Sequence, residues 1–463
     1  MLTEMLTILL TEIKSFHQRQ GLIQTPLWHM RGPMRSFRLG TNPRVSRIAL
    51  GLTAAAAAVL LAACSSSGSP GSSSTTPQGT ATSSSSTATS SGANVAALSS
   101  AVTQGAAVPS FATYQANYGG KIPSIANLAD KKIMIIPGVS ALAACEEIAQ
   151  ADAAIATAAG MKATIFSNQG STAEHNTAIE DAIHQGYAAI DMGCAMDPST
   201  SAPAIAQAEA AGIVVESYGA TPQEATDAKI TYNNVDPYAL DAKLAADQAV
   251  AEHNGQAFHA IAITSNATGP ATAIMEASLK AELAATCPGC TVSEVNVEVP
   301  DWQTQIASTV TSQLLQNPDT TVLFPDYSGM LTYMLAGIQA AHRSNDIKAY
   351  LAFGGGTPFV KLQTSGAGQA IIRSDIGGYP PWTGYLMFLQ TARALEKLPA
   401  IPYDKAIGPD RIVTPGNAVD VLTTGGWGTS WVNGFRALLG LPALSGSALT
   451  AAATLNGAMV GTV

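Results

Sequence analysis

From Lys131 onward the chain alternates between short apolar runs and longer amphipathic stretches, and this alternation limits its fold more than any other feature. KKIMIIP is followed by ALAACEEIAQADAAIATAAG, then MKATIFSN, a helix-like stretch over 172–185, YAAIDMG, a further one over 201–211, and IVVES. Gly160, Gly186 and Gly212 stand 26 residues apart, each closing a helix-like stretch just before an apolar run. Glycine at that place supplies a left-handed helix cap. Short apolar runs joined through helices predict right-handed βαβ units and a parallel sheet covered on both faces.

The pattern then starts again. HAIAITSN, a helix over 269–285, TVSEVNVEV, a helix over 302–316, TVLFPDYS, a helix over 330–342 and KAYLAFGGG repeat the alternation over a similar length. The predicted fold is α/β, with two tandem Rossmann-like lobes built on parallel sheets. QAIIRSDIGGYPPWTGYLMFLQTARALEKLP adds a strand and a long helix, and RIVTPGNAV reads as an extended crossing. The expected first lobe is 131–235 with 376–411, and the second 257–372 with 412–440. A lead-in over 93–130 precedes them and a small-residue apolar tail over 441–463 follows.

Upstream, RVSRIALGLTAAAAAVLLAAC runs from Arg44 to Cys64 and leads directly into SSSGSPGSSSTTPQGTATSSSST. A basic approach, an apolar run and a small-residue site before cysteine describe an export signal. Ile48 to Ala63 is 16 residues, short of the roughly 20 a membrane-spanning helix needs. Leu61-Ala62-Ala63-Cys64 looks like the lipobox of a bacterial lipoprotein, in which the cysteine is acylated and becomes the mature amino terminus. Two acyl chains anchor a protein stably where one binds only marginally. Residues 65–92, rich in Ser, Thr and Gly, read as a tether too polar to fold. Residues 1–33 precede Met34 and fit no part of a signal, as a start placed too far upstream would leave them. The expected location is the outer face of the cell membrane.

The seven basic and two acidic side chains of residues 1–63, taken from totals of 23 and 32, leave 16 against 30 and a formal charge of −14 after Cys64. A surface of that sign repels phosphate backbones, so nucleic acid is not an expected partner. Four cysteines follow Cys64, an even number in an oxidising setting. Cys287-Pro-Gly-Cys290 lies between a helix and a strand without a thioredoxin-like context, which favours a small structural disulfide over a redox pair. In a sheet of order 2-1-3 the strands ending at Pro137 and Gly193 are neighbours, which brings Cys145 within reach of Cys194 and predicts a second disulfide.

Parallel sheets bind ligands beyond the carboxyl ends of their strands, so two lobes facing each other make one cleft. The strand ends offer Ser140, Cys194, Glu216, Ser217, Tyr218, Asn266, Trp302, Asp326, Tyr327, Gly355 and Asp375. Hydroxyls, carboxylates, an amide and aromatic rings suit a small polar solute. Trp302 reads either as a core anchor or as a stacking surface. Glu216 and Asp375 read either as ligand acceptors or as solvated carboxylates. No G-x-S-x-G elbow is present, and His175, His184, His253, His259 and His342 fall in or beside helices or at a strand start. Without a nucleophile and base, or a Cys/His ligand set, neither an enzyme, a metal site nor a cofactor is expected.

With these features together, residues from about Lys131 to Val421 resemble the type I periplasmic binding proteins, in particular the ribose-binding-like sugar receptors of ABC importers. The resemblance implies a receptor, working as a monomer, that captures a small polar solute, a sugar or sugar-like compound, by hinge closure and hands it to an importer's permease. It also implies three crossings between lobes, here Asn233-Asn234-Val235 to about Ala257, Arg373 to Gly378, and Ile412 to Pro415. Glu216-Ser217 stands where the family commonly carries an Asp-Arg pair, Trp302 where it often has a stacking Phe, Asp326-Tyr327 near its Asn-Asp, and Asp375 near a hinge glutamine. Its Gly-Phe-Asp-Gly-Thr-Pro loop is matched by Phe353-Gly354-Gly355-Gly356-Thr357-Pro358, with Gly355 at the aspartate's place. Ser217 in place of arginine leaves a less hydroxylated or partly aromatic solute open. A receptor for a membrane sensor kinase and a secreted α/β enzyme are the alternatives, the latter weaker.

Overall fold

Five parallel strands form the first sheet: β1 (Lys132–Pro137), β2 (Lys162–Ile165), β3 (Ala189–Gly193), β4 (Val214–Tyr218) and β5 (Tyr232–Asn234), in the order β2-β1-β3-β4-β5. They belong to a computed structural model that describes residues 88–454 apart from Ala195, Gly355 and Gly425, so Cys64, residues 65–87 of the tether and Gly355 lie outside the described residues. β1 and β3 are buried on both faces because helices cover both, with Asp191 of β3 the polar exception. The crossovers carry α3 (Ala143–Ala158), α4 (Thr172–Gln185), α5 (Ala202–Ala210) and α6 (Pro222–Ala228), after α1 (Ala88–Gly105) and α2 (Phe111–Gln115) of the lead-in. Gly186 closes α4 at φ 68° in the left-handed region its spacing predicts.

A second sheet has the order β11-β10-β9-β8-β6-β7, from β6 (His259–Thr264), β7 (Thr291–Asn296), β8 (Thr320–Pro325), β9 (Lys348–Tyr350), β10 (Ile372–Gly377) and β11 (Arg411–Val413). All neighbours run parallel except β10 and β11. β7 is the edge strand, and its TVSEVN keeps mostly polar, exposed residues accordingly. Around this sheet pack α7 (Tyr238–Glu252), α8 (Pro270–Thr286), α9 (Trp302–Gln316), α10 (Leu331–Ala340), α11 (Thr357–Leu362) and α12 (Gly366–Ile371).

The remaining helices return to the first lobe. α13 (Pro380–Leu395) is buried over nearly its whole length and lies against α3. Gly384 makes this approach possible, since a Cβ there would collide with the backbone of Ile148 and Asp152 on α3. α14 (Ala418–Thr424), α15 (Ser430–Leu438) and α16 (Gly446–Thr454) follow. Trp427, Trp431 and Phe435 join Phe111, Tyr118, Trp382 and Tyr385 in one core cluster with α3 and α13.

This arrangement corrects three expectations. Residues 88–92 are helical rather than tether, because α1 continues upstream of the lead-in and lies on α7 and β11 of the second lobe. Of the segment 412–440, assigned to the second lobe, β11 pairs there and α14 packs on α11, whereas α15 lies in the first lobe's core, drawn by its Trp431 and Phe435. RIVTPGNAV is extended only over Arg411–Val413, and Ala418 already begins a helix. Among the described residues the chain passes between lobes five times: α1 to α2, β5 to α7, β10 to α13, α13 to β11, and α14 to α15.

Candidate functional site

Both sheets end at a common cavity between the lobes, of about 860 Å³ including space open to solvent. Cys194, Tyr218 and Gly219 reach it from the ends of β3 and β4, Thr268, Tyr327, Ser328 and Phe353 from those of β6, β8 and β9, and Gly378 from the exit of β10. Helices contribute Leu142, Cys145 and Ile148 from one side, Trp302 and Phe359 from the other, and Tyr238 from the crossing after β5. The lobes meet across it. Tyr238 donates its hydroxyl to the carbonyl of Gly219 at 2.9 Å, and the Thr357 N–H reaches Glu147 Oε2 at 3.5 Å.

The rings that line the cavity use their polar atoms elsewhere. Trp302 donates Nε1–H to the Val297 carbonyl at 2.9 Å and stacks on Tyr327 at 5.9 Å and 28°. The Tyr327 hydroxyl lies 2.7 Å from Thr268 Oγ1 and 3.1 Å from Thr272 Oγ1. Tyr218's hydroxyl lies beside Asp236. The cavity therefore meets mainly ring carbon and aliphatic surface.

Glu224 is the charged residue that lines the cavity among the described residues. It is 4% exposed and forms a capping box with Thr221, whose N–H donates to Oε2 at 2.7 Å. Its other oxygen, Oε1, points across the cleft at Gly269, where a Cβ would come within 2.9 Å. Burial raises its pKa, opposed by the Thr221 bonds, and Asp197 nearby adds to the rise. Cys145 and Cys194 form a disulfide on the wall, with Cα atoms 5.3 Å apart; Cys287 and Cys290 form another away from the cavity, 5.4 Å apart.

Of the residues expected at the site, Cys194, Tyr218, Trp302 and Tyr327 line the cavity. Trp302 is both anchor and wall, 4% exposed with its edge on the cleft. Ser140, Glu216, Ser217, Asn266, Asp326 and Asp375 lie outside the lining, and Gly355 lies outside the described residues. Ser140 accepts the Asn168 N–H at 3.0 Å, and Asn266 is exposed on the far side of its turn. Glu216 is wholly buried in mid-sheet, accepting from Asn234 Nδ2 at 2.7 Å, and neighbouring Ser217 donates to Asn233 at 2.7 Å. Strand alternation sends these two side chains to opposite faces of the sheet, and both are buried because both faces are covered. Asp326 is buried near Thr272 and Ser265, and Asp375 lies behind Gly354, whose Cβ it would strike. Glu224, Tyr238, Phe353, Phe359 and Thr383 were not anticipated. The signal for Glu224 is present in Thr221-Pro222-Gln223-Glu224, a capping box directly after a strand.

Two lobes with their strand tips on one cavity define a two-domain receptor for a small guest. The model of the family described as "Periplasmic binding protein domain" matches residues 135–397, more than half of the chain, and the chain belongs to that family, whose members are solute receptors and not enzymes. The fold agrees with solved structures. An ABC sugar transporter subunit from Rhodobacter sphaeroides is 21% identical with a TM-score of 0.53, covering 62% of this chain and 99% of its own. A solute-binding protein from Burkholderia graminis in complex with D-arabinose is 17% identical at 0.55, covering 63% and 97%. A 5-methylthioribose transporter protein from Thermotoga lettingae is 15% identical at 0.53, covering 70% and 99%. None of the curated proteins compared with the chain matches it. Among the described residues, no helix is long and apolar enough to cross a membrane, and no three His, Cys, Asp or Glu are grouped to hold a metal ion.

Proposed function

We propose that this protein is an extracytoplasmic receptor, held to the membrane through lipid on Cys64, that closes as a monomer on one small solute and presents it to the permease of an ABC importer. The observation that carries this reading is the cavity between two sheets' strand tips, walled by rings from both lobes. The sugars in the neighbours' complexes support a solute of sugar size. A guest that touches both walls favours the closed arrangement by its differential affinity for it, and the closed shape is what a permease would recognise.

Hinge closure by a saturating solute should compact the protein in small-angle scattering and raise its thermal midpoint. A panel of sugars, polyols and amines that moves neither quantity would refute the receptor reading. Cys64→Ser should shift the protein from the membrane fraction to the medium, and retention at the membrane would refute the lipid anchor.

A further inference from the structure

A polyhydroxylated guest buries several hydroxyl groups at once, and each needs a partner in the wall. This wall has few to give. Trp302 N–H and the hydroxyls of Tyr238 and Tyr327 are engaged with Val297, Gly219 and the Thr268/Thr272 pair. Thr268 Oγ1 also lies 2.8 Å from the Ser265 carbonyl. No Lys, Arg, His, Asn or Gln side chain lines the cavity among the described residues. What remains is a set of ring faces, the short hydroxyls of Ser328 and Thr383, and one carboxylate oxygen.

Glu224 supplies that oxygen. It is nine-tenths buried, its Oε2 is fixed by the capping box, and its Oε1 is turned into the cleft toward Gly269. Behind the opposite wall, Asp410 and Asp236 each bring Oδ1 close to Gly378, 3.3 Å and 3.8 Å from where a Cβ would stand. No ion pair among the described residues reaches Glu224, Asp236 or Asp410. Burial pushes Asp236 and Asp410 up, Asp236 to about 7, which favours their neutral forms, so Glu224 is the carboxylate that faces the cleft. Aromatic faces carry the negative side of the ring quadrupole, and the rings and Glu224 act with one sign. A site of that sign repels anions and offers a cation both a counter-charge and ring faces.

We infer that the solute is a small cation, with an ammonium or protonated amine group facing Glu224 Oε1 and a sparsely hydroxylated, apolar or flat body between Tyr218, Trp302 and Tyr327. The inference rests on the receptor reading above and names its substrate class. Burial of Glu224 without a cation strengthens the case for a partner, since a desolvated carboxylate gains most from one.

Calorimetric titration of the purified mature protein with choline and phenethylamine, against D-arabinose and D-ribose, tests this. The cations should bind and the pentoses should not. Glu224→Gln should weaken cation binding by about tenfold or more while leaving the thermal midpoint in place, because glutamine at the same position keeps the capping box. Tyr218→Leu, which removes a ring but no charge, should weaken the cations as well. Pentose binding unaffected by Glu224→Gln, with no response to either cation, overturns the inference and leaves the receptor reading standing. Silence with all four probes, together with no solute released on denaturing the protein purified from its own host, overturns both.

Discussion

The two lobes share a βαβ layering and differ in what they bury. In the second, the mid-strand positions of β6 and β8 are aliphatic or aromatic, as with Ile261, Ile263, Leu323 and Phe324, and β10 buries a single carboxyl, Asp375. In the first, neighbouring strands place Asp191 opposite Glu216, Asp152 of α3 adds a third carboxyl, and all three are wholly buried. The first lobe also receives α2 of the lead-in and the C-terminal end of the described chain, through a cluster in which Trp431 stacks on Trp382 at 5.6 Å and Tyr379 on Trp427 at 4.7 Å. The difference teaches that a repeated topology fixes the layers but not their load. Here one lobe is an ordinary two-faced core, and the other is held by aromatic packing from outside the repeat.

The largest effect should come from that packing. Trp431→Ala removes a fully buried ring that also meets Tyr385 at 5.1 Å, and should destabilise the protein by about 3–5 kcal/mol in urea unfolding. Leu335, only partly buried on the second lobe's surface, should tolerate the same change with a small loss. Equal losses at both positions would dissolve the contrast between lobes.

How far the fold could be read from the sequence follows the same division. Periodicity and glycine spacing place the strands because parallel strands are apolar on both faces, and α4 and α9 begin and end where their patterns do. The wrap over 411–454 was not legible. Its aromatics declare burial without declaring against which lobe, since partners such as Phe111 and Trp382 lie far away along the chain. At the site, aromatic strand-end residues could be found from position. Glu216 and Asp375 could not be told from cleft carboxylates, because position in the chain does not show on which side of a strand end a side chain emerges.

The two disulfides offer the next test. Cys145 and Cys194 are separated by 49 residues and Cys287 and Cys290 by 3. By loop-closure entropy, opening the first should cost about 4 kcal/mol and the second about 2 kcal/mol. Paired Cys→Ser variants compared by thermal unfolding would check the order. Since Cys145 and Cys194 also line the cavity, only that variant should alter solute affinity. A reversed order would mean that the first lobe's packing holds the rim without its crosslink.

The carboxyls buried together in the first lobe predict a pH dependence of stability. Burial raises Asp152, Asp191 and Glu216 above ordinary carboxyl values, with Asp191 at about 7. The folded state therefore binds protons that the unfolded chain releases. Stability from these groups is fully present below the unfolded value, roughly 4, and is lost as pH rises through about 7. Glu216→Gln removes one charge from the group while retaining an acceptor for Asn234, so its midpoint should fall less between pH 5 and 8 than the unsubstituted protein's. Parallel curves would show that the protons are held elsewhere.

The smallest effect should appear at the lip, where the contrast between lobes becomes a contact between them. Glu147 stands on α3 of the first lobe, and closure brings it to the N–H of Thr357 at the start of α11 in the second. Burial raises its pKa to about 7, with the Thr357 bonds opposing, and Tyr379 is the neighbouring titratable group. Opening the cleft would return the carboxyl to water and to an ordinary value. Closure thus favours the protonated form, and solute affinity should rise severalfold as pH falls from 8 to 6. Glu147→Gln should flatten this dependence and bind more tightly than the unsubstituted protein at pH 8, as seen in titrations at each pH. Glu224 acts with the opposite sign, since protonation discharges the group a cation would face. A steeper fall in affinity on acidification in Glu147→Gln than in the unsubstituted protein would therefore separate the lip from the floor of the same cleft. An unchanged profile would mean that Glu147 stays in the same surroundings whether the lobes are open or closed.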